Sequence, residues 1–137
     1  MQSVSARLKK SAPFLDGAKK VFVAFVDDAT IQGLNEQFKH VKAPTNVLSF
    51  EINQTDPEDG MLILGEVIVS VDTAQREAAH AEMPARDRLT ELFIHGLVHL
   101  LGYDHTINRR EAARMRRKEK GFMHRMNTAG YRSGIRA

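Results

Sequence analysis

The chain reads as an α/β or α+β fold in which one small β-sheet is covered by helices. Three features predict it. VFVAFVD, VLSFEI and LILGEVIVS are short apolar stretches of strand length, stretches of helical spacing lie between and after them, and the C-terminal half is helical throughout. At 137 residues, 42% hydrophobic and 27% charged, the sequence fits one domain over 1–137 with an ordinary core, ending in a basic tail from about residue 125.

Residues 3 to 10 are read as a short helix, and residues 21 to 27, rich in β-branched and aromatic side chains, as a buried strand. Asp28 is placed as the cap of a helix running to about Phe38, with Ile31, Leu34 and Phe38 on one face. The segment HVKAPTN is a loop, because Pro44 lacks an amide hydrogen and biases Ala43 away from helix. Residues 47 to 52 alternate as a strand, 53 to 60 are turn-rich, and 62 to 70 form the next strand. Gly65 inside that strand predicts a bulge or a close backbone approach. Asp72 or Thr73 is expected to cap a helix through about Glu82. Pro84 suits the first turn of a helix to about Leu101, and a last helix covers about Asn108 to His124.

The chain has no cysteine, which removes disulfides and thiolate metal sites and favours a reducing compartment. Its longest apolar run, VFVAFV, is shorter than a signal-peptide core or a membrane span, so a cytoplasmic protein without membrane contact is expected. The net charge of +3 conceals an asymmetry. Residues 1 to 26 and 106 to 137 carry fifteen Lys/Arg against three acids, a net +12, while 27 to 104 carry fourteen acids against five bases, a net −9. Basic ends around an acidic middle suggest a polyanion partner; a solvated basic helix is the plainer alternative. In the last helix Ala112, Met115 and Met123 are the expected core contacts. Arg116, Arg117 and Lys118 are the candidate nucleic-acid contacts.

The chemistry concentrates in HGLVHLLGYDH, residues 95 to 105. Positions four apart share a helix face, so His95 and His99 can aim both imidazoles at one ion. Gly102 falls where helices often end in a left-handed residue, letting the chain reverse and carry His105 back over that face. Three neutral imidazoles suit Zn2+, one per chain, with a fourth position left for water or substrate. The ligand spacing matches that of the metzincin proteases, H-E-x-x-H-x-x-G-x-x-H, but Gly96 replaces their general-base glutamate, so a peptidase mechanism lacks its proton acceptor. Asp104 is either an orienting partner for an imidazole or a local turn cap, with the two readings open. Tyr103 is assigned to packing. Ser49 and Glu66 line a cleft only if their strand faces point that way. His40, His80 and His124 lack comparable partners and are assigned to surface or packing roles.

At these residues the sequence resembles a known family. HGLVHLLGYDH is similar to the signature H-G-x-x-H-L-x-G-Y-D-H of the YbeY family, KAPTNVLSFE resembles its PT-[DN]-VLSF stretch, and LGEVIVS resembles its LG-[DE]-I-x-I-x strand. The resemblance spans about residues 21 to 124. It implies a mixed sheet with surrounding helices, and a zinc ion held by His95, His99 and His105 at the end of a central helix. It also implies a single-strand-specific endoribonuclease acting in maturation of the small-subunit rRNA 3′ end and in ribosome quality control, with rRNA and the small ribosomal subunit as partners. One position departs: Lys39 stands where the family usually has an arginine, keeping the charge but losing the planar fork that matches a phosphate. Lys39 is the candidate catalytic cation, stabilising charge that develops on the phosphate. Two other classes stay open: a metal-dependent hydrolase of a non-RNA substrate, and a ribosome-binding assembly factor whose metal site is structural.

Overall fold

The computed structural model describes residues 6–10, 19–102 and 108–129. In chain order the elements are β1 (Ala6–Lys10), β2 (Lys19–Val26), α1 (Asp28–Lys39), β3 (Val47–Thr55), β4 (Leu62–Ser70), α2 (Val71–His80), α3 (Ala85–Leu100) and α4 (Arg109–Ala129). The strands form one mixed sheet in the order β1-β2-β4-β3. β2 and β4 pair in parallel, while β1 with β2 and β3 with β4 pair antiparallel. A parallel neighbour requires a crossover, and α1 with β3 supplies it. No described helix is long and apolar enough to cross a membrane.

The N-terminal reading is corrected. Ala6–Lys10 is a strand, paired from Ala6 with Phe25 to Lys10 with Val21, where a helix is expected from composition. The helix-forming residue types of ARLKK are outweighed by the tertiary demand of β2, whose outer backbone groups another strand satisfies.

Alternation along the strands divides the core. Val21, Val23 and Phe25 face the larger cluster, with Leu92 and Leu97 of α3, Ala74 of α2, and Phe122 of α4. Ala24, Val26, Leu48 and Ile68 face the opposite side, against Ile31 of α1. Each fully buried Leu, Ile or Phe contributes roughly 1.5–3 kcal/mol, so the α2–α3–α4 face dominates stability. Phe38 departs from its expected place in the α1 stripe: it is 53% exposed and meets the Phe50 ring of the outer strand β3.

Helix capping also shifts by one to three residues from expectation. Asp27, not Asp28, caps α1, accepting from the Thr30 amide at 2.8 Å. Ser70, not Asp72 or Thr73, caps α2. Asp28 instead accepts from Ser70 and Thr73 hydroxyls, each at 2.6 Å, and from Arg76 at 2.8 Å, while its own amide donates to Asp72 at 3.0 Å. Burial opposes its charge, but these donors outweigh burial and hold the Asp28 carboxyl below its ordinary pKa. The start of α1 is thereby locked to the start of α2.

Gly65 makes the close approach expected of it. A Cβ there would lie 2.2 Å from the Phe50 carbonyl oxygen and 2.8 Å from Leu100 Cδ2. Register shifts in both neighbouring strands occur at this level, between Lys20 and Val21 and between Glu51 and Gln54. The end of α3 therefore settles directly on the sheet. Beside the bulge, Lys20 is 1% exposed and bonds Asp56 at 2.6 Å and Asp59 at 2.7 Å, pinning the β3–β4 loop to β2.

Candidate active site

α3 places His95 and His99 on one face, as their spacing requires. Their Nε2 atoms lie 3.2 Å apart and their rings meet edge to face, with centroids 4.7 Å apart. Two ring nitrogens this close need a shared proton or a cation between them. Two imidazoles on a tetrahedral zinc, with Zn–N near 2.0–2.1 Å, would have nitrogens about 3.3–3.4 Å apart, so the pair fits such an ion. Among the described residues no group of three His, Cys, Asp or Glu gathers as a metal ligand set. His105, the expected third ligand, lies outside the described residues, as do Asp104 and Tyr103. The glycine that should redirect the chain toward His105 behaves as expected. Gly102 has φ +97°, and its amide donates to the His99 carbonyl at 3.0 Å.

One contributor escapes sequence reasoning. Glu119 of α4 accepts from His95 Nδ1 at 2.6 Å. A carboxylate there keeps the proton on Nδ1, so Nε2 presents its lone pair to the opposite side, and the ring is fixed in orientation. Twenty-four residues separate the partners, and only the packing of α4 on α3 joins them. The only sequence signal is Glu119 itself, an acid within a basic helix.

The pair lines a cleft of about 960 Å³ bounded by α3, β3, α4 and the end of α1. Lys39, Arg88, Arg116 and Lys120 line it together with Glu51, Glu91 and Glu119, as does Ser49. Arg116 and Lys120 are one helical turn apart on α4, flanking Glu119. Of the other expected RNA contacts, Arg117 is exposed away from the cleft lining, while Lys118 is half-buried with its ammonium 5.2 Å from the Phe122 ring centroid. Arg88 bonds Glu77 and Glu91, each at 2.9 Å, so its charge is taken up by these two acids. Ser49 points toward α3 and donates to the Gly96 carbonyl at 3.0 Å. Glu66 occupies the alternate position to Val67, so its side chain leaves β4 on the α1 side rather than toward the histidines.

Gly96 has a packing role. A Cβ there would lie 2.6 Å from Val67 Cγ1 and 2.8 Å from Ser49 Oγ. Any side chain at 96 would drive into β3 and β4, so the position that carries the metzincin glutamate points at the sheet. The missing protease base has no room here.

Together the sheet order and the facing imidazoles define a class: a small mixed α/β protein with a histidine pair lining a cleft of mixed charge. The chain belongs to the YbeY endoribonuclease family, whose profile, described as Endoribonuclease YbeY, matches residues 1–127. The Endoribonuclease YbeY of Pelotomaculum thermopropionicum is 43% identical over 111 residues, 79% of this chain and 72% of that one. That of Neorickettsia sennetsu is 39% identical over 132 residues, 95% of this chain and 90% of its own. The solution structure of TM1509 from Thermotoga maritima superposes with a TM-score of 0.57 at 30% identity, covering 83% of this chain and 71% of that one. The family resemblance read from residues 95 to 105 holds.

Proposed function

We propose that this chain is a zinc-dependent endoribonuclease for single-stranded RNA, acting in the cytoplasm on the small-subunit rRNA 3′ end and in ribosome quality control, with rRNA and the small ribosomal subunit as partners. The observation that carries the metal reading is the 3.2 Å separation of His95 and His99 Nε2 in a cleft that Lys39, Arg116 and Lys120 also line. His95 and His99 would hold the ion with His105, and the bound zinc would supply Lewis acidity at the scissile phosphate. The rest falls to the chain's own side chains. Glu119 keeps the proton on His95 Nδ1. Lys39, Arg116 and Lys120 bind the flanking phosphates, and Lys39 stabilises charge developing at the reacting one. Ser49 holds the Gly96 carbonyl and with it the turn of α3 that bears His95.

The deciding experiment compares wild type with His99→Ala on a single-stranded RNA ending in the small-subunit rRNA 3′ sequence. Zinc content is measured on the same preparations. Wild type should hold about one zinc per chain and cut the RNA, and His99→Ala should lose both. Cleavage by a fully zinc-depleted His99→Ala preparation would defeat the proposal. A wild type that binds zinc and rRNA but never cuts would make the protein an assembly factor.

A further inference from the structure

Phe38 and Val41 stand out at the far end of α1, 53% and 48% exposed respectively. Single exposed apolar residues are ordinary, but here hydrogen bonds fix the backbone that carries them. α1 ends in a left-handed His40, φ +60°, whose amide reaches the Glu36 carbonyl at 3.2 Å, while the Val41 amide reaches the Asn35 carbonyl at 3.3 Å. Asn35 then donates its side-chain amide to the Ala43 carbonyl at 2.9 Å, fixing the chain beyond. The Phe38 ring is held by an edge contact with Phe50, centroids 5.2 Å apart at 67°, which leaves much of its surface open.

The patch is continuous with the cleft. Lys39 lines the cleft, and its ammonium lies 5.8 Å from the centroid of the same Phe50 ring that props Phe38. β3, which carries Phe50, is an outer strand of the sheet, so nothing in the sheet separates patch from cleft at that edge. Residues 38 to 42 carry two lysines and no acid.

We propose that Phe38 is a stacking platform for one unpaired nucleobase of the RNA strand that occupies the cleft, with Lys39 and Lys42 receiving the phosphates on either side. The identity of the occupant rests on the endoribonuclease reading. A half-open aromatic ring followed by two lysines, one of them lining the cleft, offers a base its π-face and the backbone its counter-charge, the combination single-strand binders use. A base inside a duplex has both faces covered by its neighbours, so this platform discriminates against duplex RNA without reading sequence.

The chain contains no tryptophan, so Phe38→Trp places a single fluorophore at the platform. Wild type, Phe38→Trp and Phe38→Ala are titrated with a single-stranded oligoribonucleotide and with its duplex, at two salt concentrations. Gels confirm that the RNA stays intact. The indole emission should be quenched by the single strand and not by the duplex. Phe38→Ala should bind single strands on the order of tenfold more weakly, and Phe38→Trp should restore the affinity. The Phe38→Ala loss should be the same at both salts, because stacking releases no counterions, whereas losing a lysine contact flattens the salt slope. Unquenched emission at saturating RNA, together with wild-type affinity in Phe38→Ala, overturns the inference and leaves the patch to a protein partner. If wild type itself binds no single-stranded RNA, the endoribonuclease reading fails first and this inference fails with it.

Discussion

α3 and α4 border the same cleft and are built on opposite plans. Eight of the sixteen residues of α3 are buried, whereas only Met115 and Phe122 are buried among the sixteen described side chains of α4. α3 is wedged between the sheet and two helices, and it carries the groups whose separation must be held to a fraction of an ångström. α4 rests on one apolar stripe and presents cations, whose long-range attraction tolerates a looser mount. Position is bought with burial, and charge with exposure. Glu119 is the exception that joins the two plans, an α4 side chain that sets the tautomer of an α3 histidine.

That exception supplies the sharpest way to break the comparison. Glu119→Gln should weaken zinc affinity by roughly 10- to 100-fold, because the amide no longer fixes the proton on His95 Nδ1. Competition with a chelating indicator measures it. Unchanged affinity would return α4 to a purely electrostatic role. Gly96→Ala should next destabilise the fold by roughly 1–3 kcal/mol, since Val67 is rigid, fully buried and in the way of the new methyl. Denaturant unfolding reads this directly, and a stability loss under half of that range would mean that α3 floats off the sheet more easily than its burial suggests. The smallest effect distinguishes two neighbours on α4. Arg116→Gln should flatten the log-log salt dependence of RNA binding by about 0.7, the value of one phosphate contact on a single strand. Arg117→Gln, pointing away from the cleft lining, should leave the slope unchanged. Equal slopes in the two variants would show that the whole helix, and not its cleft face, attracts RNA.

Much of this was legible locally. The spacing of His95 and His99 fixes their common face through helix geometry alone, and Gly65 and Gly102 announce a close approach and a left-handed turn because only glycine meets those demands cheaply. β2, β3 and β4 show in their β-branched runs. What sequence reading missed was created by tertiary contact. β1 is a strand because β2 has an edge to fill, although ARLKK favours helix. Ser70 caps α2 in place of Asp72 because Asp72 is drawn to the Asp28 amide of another helix. Lys20 is buried because a loop more than thirty residues away folds two carboxylates over it. Glu119 meets His95 only after α4 has packed on α3. No window of neighbouring residues encodes any of these.

The strand order also sets a sequence of events for the growing chain. β4 is the last strand made, yet it lies inside the sheet, between β2 and β3. The β3–β4 hairpin can close over a short loop, but β2 must wait for β4 before it gains its parallel neighbour, and such long-range closure is the slow step in folds of this kind. Until then β2, with β1 on one side, leaves its other edge unpaired. The surface against which α3 packs, through Val67 and Gly65, exists only after that closure. The imidazole pair needs only α3, but the cleft around it is among the last features to assemble, and a half-folded chain carries its histidines without a cleft to hold them.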